Sequence, residues 1–255
     1  MSKKRLMIIA ASLLALIIIV TVIETFIAKQ GITDKFPRPD RKPVVYKDTG
    51  PNRNYLLLGD STAAGQGAAY EDGIAVKTAK HLKKKYTVTM VNTGVPGATV
   101  AEILAEQSPV LATFKPDIVL LSVGANDTTK LRNPWQVKKE LQTLVKKILQ
   151  TNCEAKIIIT GSPDVGSVKR LPFPLNWEIS GLSYLLNTIA FKPVVKQYNL
   201  THAPLYEETG PIFRKDPSLL APDLFHPNAQ GYTVWANVLN AALDEALTNQ
   251  PSHCK

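Results

Sequence analysis

The stretch "LLLGDSTAAGQGA", Leu56 to Ala68, decides how the chain is to be read. An apolar run enters a turn of Gly, Asp, Ser, Thr and Ala, with a helix expected to follow. This is the grammar of a strand-to-helix connection in an α/β protein. Within it, Ser61 has three readings: a cap for the next helix, part of an anion-binding turn, or a nucleophile. Downstream of Tyr55, short apolar strands alternate with amphipathic helices, which argues for a parallel sheet covered on both faces. The expected strands are Tyr55–Gly59, Thr87–Asn92, Asp117–Val123, Lys156–Gly161 and Thr201–Leu205.

Helices are expected over Asp72–Lys85, Val100–Glu106, Asn133–Gln150, Leu182–Tyr198 and Ala229–Leu247. The third is the clearest. Val137, Leu141, Leu144, Val145 and Ile148 form one apolar stripe, with lysine pairs on the other face. The segment Ser162–Gly181 breaks the rhythm and reads as a loop over the site. Its Phe173 and Trp177 are candidates for lining a ligand pocket or platform, or for ordinary packing.

The N-terminus is of a different kind. Lys3, Lys4 and Arg5 precede an uncharged, mainly apolar run from Leu6 to Ile23, closed by Glu24. Eighteen helical residues span about 27 Å, close to the hydrocarbon thickness of a bilayer. A cleaved signal peptide has a shorter apolar core and a small-x-small site after it, and "TVIETFIAKQ" offers no such site. The expectation is an uncleaved anchor over residues 6–23, behind a basic flank at 1–5. The flank holds the N-terminus inside, a bias that Lys29 and the basic residues beyond it blunt. The folded domain then lies outside the cytoplasm, or is secreted if the segment is cleaved. Residues 24–53, rich in Pro, Gly and charge, read as a tether. The folded domain is expected over 54–248, with a polar tail at 249–255.

The formal charge is +9, which invites a nucleic-acid reading. Residues 1–53 hold ten Lys/Arg against four Asp/Glu, however, and residues 54–255 hold twenty against seventeen. Most of the excess belongs to the membrane-proximal segment, and no basic stripe interleaved with aromatics is present, so no nucleic-acid partner is expected. Cys153 and Cys254 show no metal-ligand spacing. A disulfide between them is compatible with the sequence but not indicated by it.

In an open parallel sheet, ligands sit at the carboxyl ends of the strands. This chain places polar, Gly-containing turns there: "GDST", "NTGVPGAT", "SVGANDTT" and, before the last helix, "APDLFHPNAQGY". Each has a bland reading as turn and cap chemistry. Together they contain the parts that acyl transfer needs: a nucleophile, a base, an orienting carboxylate and oxyanion donors. Of the four histidines, His81 reads as exposed on its helix, His253 lies in the tail and His202 starts the fifth strand. Only His226 follows an Asp, Asp223, three residues earlier on a turn at the active edge.

These segments resemble, in order, the blocks of the SGNH, or GDSL-type, ester hydrolases. "GDST" (Gly59–Thr62) is similar to the nucleophile block, with Thr62 where the family's short name has Leu. "NTGVPGAT" is similar to the second block, and alignment from Asn92 places the family's glycine at Gly97. "GAND" (Gly124–Asp127) matches GxND, and "DLFHP" (Asp223–Pro227) matches DxxH. The resemblance runs from about Tyr55 to Leu247.

It implies a three-layer α/β/α fold with a flavodoxin-like five-stranded parallel sheet, here preceded by one transmembrane helix. It also implies roles: Ser61 attacks an acyl carbonyl, His226 takes its proton, and Asp223 holds the ring. The Ser61 and Gly97 backbone N–H groups and the Asn126 amide hold the oxyanion, with Asp60 and Asp127 organising the turns behind them. No metal or cofactor is implied. The partner is an acyl or acetyl ester, lipid-like or on an envelope glycan, and the catalytic domain is expected to be monomeric.

Two rivals remain. A phosphate binder would show GxxxxGK[ST] or GxGxxG after the first strand, and "GDSTAAGQGAAY" completes neither. A membrane-tethered binding module on the same fold, without catalysis, has no physical reason to keep Ser61, Asp223 and His226 together.

Overall fold

The computed structural model describes residues 2–30 and 38–254. Part of the expected tether, residues 31–37, lies outside the described residues, as do Met1 and Lys255. In chain order the elements are α1 (Lys3–Gln30), β1 (Val44–Tyr46), β2 (Asn52–Gly59), α2 (Ser61–Ala64), α3 (Ile74–Lys83), β3 (Thr87–Asn92), α4 (Val100–Glu102), α5 (Leu111–Phe114) and β4 (Ile118–Ser122). They continue with α6 (Ala125–Thr129), α7 (Pro134–Thr151), β5 (Lys156–Ile159), α8 (Leu175–Leu186), α9 (Lys192–Gln197), β6 (Thr201–His202), α10 (Leu205–Lys215) and α11 (Ala229–Asn249).

The sheet order is β1-β3-β2-β4-β5-β6. The five strands β3-β2-β4-β5-β6 are parallel, and β2 lies between its two successors, the flavodoxin-like order. The expected five-stranded parallel sheet is therefore present. Its edge carries one strand more: β1 pairs antiparallel with β3, opposing Val44 to Met90. A three-residue edge strand inside a Pro-rich stretch has too little alternation to be read from pattern alone.

Successive residues of a strand point to opposite faces, so each strand feeds two cores. On one side, Leu56, Leu58, Val119, Leu121, Ile157 and Ile159 pack with the α7 stripe Val137, Leu141, Leu144, Val145 and Ile148. On the other, Tyr55, Leu57, Met90, Leu120 and Ile158 pack with Ile74 and Leu82 of α3 and Leu239 and Leu243 of α11. Burial on both faces is what a near-continuous apolar strand such as "YLLLG" requires.

Three expectations are corrected. The helix expected from Leu182 begins at Leu175 and continues through a π-type turn into α9, so the end of the Ser162–Gly181 segment is helical, not loop. Helix α10 was not expected, because Gly210 and Pro211 punctuate its sequence. Its buried face, Leu205, Thr209 and Phe213, packs it nonetheless. The fifth strand is only Thr201–His202, since Leu205 already starts that helix.

The chain end is pinned. Cys153 and Cys254 form a disulfide closing a separation of 101 residues. Gln250 continues the edge of β5, accepting from Ile157 N–H at 2.8 Å and donating to its carbonyl at 2.8 Å. At the other end, α1 is long and apolar enough to cross a membrane.

Candidate active site

Strand β2 ends at Gly59 and the chain turns at once into α2, at the point where the strand order reverses. Asp60 caps that short helix. Its Oδ1 accepts from Thr62 N–H at 2.9 Å and from Thr62 Oγ1 at 2.7 Å, leaving Ser122 Oγ to donate to Thr62 Oγ1 at 2.8 Å. Thr62 thus has a task, bracing Asp60 against the end of β4, that the resemblance did not assign to it. Ser61 is left at the first helical position, with its side chain turned to the loop before α11.

There, Ser61 Oγ lies 2.9 Å from His226 Nε2. His226 Nδ1 lies 2.6 Å from Asp223 Oδ2, and Asp223 Oδ1 accepts from the N–H groups of Phe225 at 2.9 Å and His226 at 3.0 Å. Partial burial works against the charged carboxylate. The hydrogen bonds from the His226 ring and from those two N–H groups outweigh it and hold Asp223 at about 2. Asp223 is therefore ionised at any working pH. A carboxylate on Nδ1–H leaves Nε2 as a lone-pair acceptor facing the serine hydroxyl.

The other histidines are engaged elsewhere. His81 is half-buried rather than exposed and pairs with Asp244 at 2.9 Å, because α3 packs on α11. His253 bonds the Tyr198 carbonyl at 2.6 Å. His202 ends β6, where burial lowers its pKa.

Asn126, in the first turn of α6, donates its amide to Asp60 Oδ2 at 3.2 Å. Asp60 is fully buried among these partners. Burial raises its pKa, against the opposing pull of Thr62, His226 and Asn126. Asp127 points the other way and accepts from Val100 N–H at 3.1 Å, tying the GxND turn to the start of α4. Its burial outweighs that bond and Arg132, pushing its pKa up to about 7. Gly97 adopts a left-handed φ of 81° in the turn after β3, and its carbonyl accepts from Lys130 Nζ at 2.9 Å.

A cavity of about 40 Å³ opens beside Ser61 and His226. Asn126 borders it, and Val165, Val168, Phe213, Leu220 and Phe225 give it an apolar wall. Gly97 is not part of this lining, and neither are Phe173 and Trp177.

Two supports were given no role by the sequence, although Asn92 opens the second block. Gln107 clasps the end of β2, its Oε1 accepting from Gly59 N–H at 3.0 Å and its Nε2 donating to Gly59 C=O at 2.8 Å. Asn92 bridges the turns after β2 and β3, donating to Ala63 C=O at 2.8 Å and accepting from Gly94 N–H at 2.9 Å.

Comparison with known proteins gives a consistent result. Residues 57–234 match the model of the GDSL-like lipase/acylhydrolase family. The chain is 27% identical over 245 residues to the GDSL-like esterase Rv1075c of Mycobacterium tuberculosis, covering 88% of this chain and 75% of that protein. It is 30% identical over 107 residues to the esterase TesA of Pseudomonas aeruginosa, covering 42% of this chain and 52% of TesA. Among solved structures, TesA superposes with a TM-score of 0.62 at 22% identity, covering 76% of this chain and 99% of that one. Axe2, an acetylxylan esterase from Geobacillus stearothermophilus, superposes at 0.60 with 18% identity, covering 76% and 95%. At these identities the superpositions speak to the fold.

Proposed function

The chain belongs to the GDSL-like lipase/acylhydrolase family and is a carboxylic ester hydrolase of that type, and from that premise we propose that it is a membrane-anchored serine esterase for short acyl groups. Ser61 is the nucleophile, His226 the general base and Asp223 the carboxylate that orients it. The observation that carries this reading is the unbroken chain from Ser61 Oγ through His226 to Asp223, at 2.9 and 2.6 Å.

The chemistry follows from that chain. His226 Nε2 takes the Ser61 proton as Oγ bonds to the acyl carbon, and Asp223 stabilises the imidazolium that forms. The carbonyl oxygen becomes an oxyanion, met by the N–H groups of Ser61 and Gly97 and the free hydrogen of the Asn126 amide. Collapse breaks the ester C–O bond, and the imidazolium proton goes to the leaving alcohol. Water, deprotonated by His226, then releases the acid and restores Ser61.

The apolar cavity beside Ser61 is small, about 40 Å³, and this favours acetyl or similarly short acyl groups over long chains. Axe2, which shares the fold, is itself an acetylxylan esterase. α1 supplies the anchor, with Lys3, Lys4 and Arg5 on the cytoplasmic side. The Cys153–Cys254 disulfide fits a catalytic domain in an oxidising compartment outside the cytoplasm.

Ser61→Ala tests the reading. The variant is expected to lose hydrolysis of p-nitrophenyl acetate and labelling by a serine-directed phosphonate while keeping the native circular dichroism. Full activity in that variant would remove Ser61 from its role. Hydrolysis of p-nitrophenyl decanoate as fast as the acetate would remove the short-acyl assignment alone.

A further inference from the structure

The N-terminal end of α8 carries two large aromatic rings that nothing in the domain covers. Phe173, in the turn before α8, is 67% exposed and Trp177 is 69% exposed, their rings meeting edge to face at 5.4 Å. Gly181 and Tyr184 follow on the same side of the helix and are also exposed. At about 100° per residue Trp177, Gly181 and Tyr184 share an arc of roughly 60°, and Phe173 joins them through its ring contact with Trp177. No charged residue lies among them. An uncharged, aromatic, solvent-facing stripe of this kind calls for an occupant.

The path of α1 says which. Glu24 closes the apolar run of α1, and its Oε2 accepts from the N–H of Leu175, the first residue of α8, at 3.2 Å. Thr21 Oγ1 donates to Glu178 Oε1 at 3.1 Å. The end of the apolar run marks the depth at which a membrane-crossing helix meets the headgroup layer. The start of α8 is therefore held at that depth. Phe173 and Trp177 flank Leu175 in sequence, within about one helical turn of it, 5.4 Å along the axis. Exposed Lys169, shortly before them, adds a positive charge of the kind that anionic headgroups attract.

We propose that Phe173 and Trp177 are a membrane footing that seats the catalytic domain on the bilayer crossed by α1. The inference rests on the anchor reading given above. Its consequence for the site is direct, since the segment leading to the footing borders the cavity. Val165, Ser167 and Val168 line the cavity beside Ser61. The Arg170 N–H donates to Leu224 C=O at 3.0 Å and its guanidinium to Asp223 C=O at 3.2 Å. With the footing seated, Ser61 is presented to esters whose alcohol part resides in the bilayer.

The test uses the full chain in vesicles of phosphatidylcholine and phosphatidylglycerol, with bromine on the acyl chains close to the headgroups. The fluorescence difference between the native chain and Trp177→Phe isolates Trp177 from Trp135 and Trp235. This difference signal is expected to fall roughly twofold or more in brominated vesicles, as for a ring in the interfacial layer. No quenching, or a Trp177 response to soluble acetylated xylo-oligosaccharide instead of bromolipid, would overturn the footing.

Phe173→Ser with Trp177→Ser is expected to slow hydrolysis of hexadecyl acetate in the vesicles by roughly tenfold, with soluble p-nitrophenyl acetate unaffected. Equal effects on the two substrates would also overturn it. The underlying readings fail differently. A native chain inactive on p-nitrophenyl acetate defeats the esterase assignment while quenching still decides the footing. A chain recovered without α1, seen by mass, defeats the anchor.

Discussion

Gly67 lies so close to His226 that a Cβ built on it comes 2.8 Å from His226 Cβ and 2.5 Å from the carbonyl oxygen of Pro227. Gly67 also has a φ of 100°, which side-chain-bearing residues seldom adopt. The turn after the nucleophile and the loop that carries the base therefore touch backbone to backbone, and the Ser61–His226 distance depends on that contact. Gly67→Ala is expected to push the His226 loop outward and lower kcat for p-nitrophenyl acetate by roughly tenfold or more, with KM little changed. A variant with native kcat would show that the loop yields without cost to the site.

Asn126 is tested by its removal. With its amide held by Asp60 and proposed to meet the oxyanion, Asn126→Ala is expected to lower kcat by about 10² to 10³. KM should change little, because the missing hydrogen bond strengthens only as charge develops on oxygen. An equal loss in kcat/KM carried entirely by KM would assign Asn126 to substrate binding instead.

Asp127 gives the fold a pH dependence of predictable sign. Its pKa of about 7 in the folded chain stands above the ordinary carboxylate value that it regains on unfolding. Between about pH 4 and 7 the folded chain holds a proton that the unfolded chain has released, so this group's contribution to stability falls as the pH rises and is flat beyond. Asp127→Asn stays neutral and can still accept from Val100 N–H. Arg132 keeps Glu140, 2.6 Å away. In thermal unfolding, the variant is expected to gain on the native chain between pH 5 and pH 8. A constant difference across that range would contradict the raised pKa.

The disulfide joins the end of α7 to the chain terminus across 101 residues, so reduction frees a long loop. Cys153→Ala with Cys254→Ala is expected to cost about 2–4 kcal/mol in urea unfolding. The Gln250 bonds to Ile157 should loosen with it, seen as faster amide exchange at Ile157. Esterase activity at 25 °C is expected to persist, since the bridge is remote from Ser61. An unchanged urea midpoint would show that α11 alone pins the chain end.

What local pattern can encode was legible in this sequence. The parallel sheet follows from apolar strands bounded by turn residues, and α7 from a stripe whose five members are all buried. The residues now meeting at the site were named from four short blocks, because three follow strand ends, where the parallel sheet gathers its connections on one edge, and the fourth leads into α11. Elements and partners whose cause is distant were not legible. α10 survives an internal Gly-Pro because its apolar face finds a place on α11 and the sheet. α8 begins seven residues earlier than expected, with its first N–H capped by Glu24, 151 residues away in sequence.

His81 found Asp244, and Gln107 found Gly59, only through packing of elements far apart in the chain. The same holds for the pairing of Cys153 with Cys254. Periodicity and turn chemistry act within a few residues and so can be read along the chain. Whether Ser61 Oγ meets His226 Nε2 at 2.9 Å depends on how α2, Gly67 and the loop before α11 are pressed together, and that is decided by the packed core.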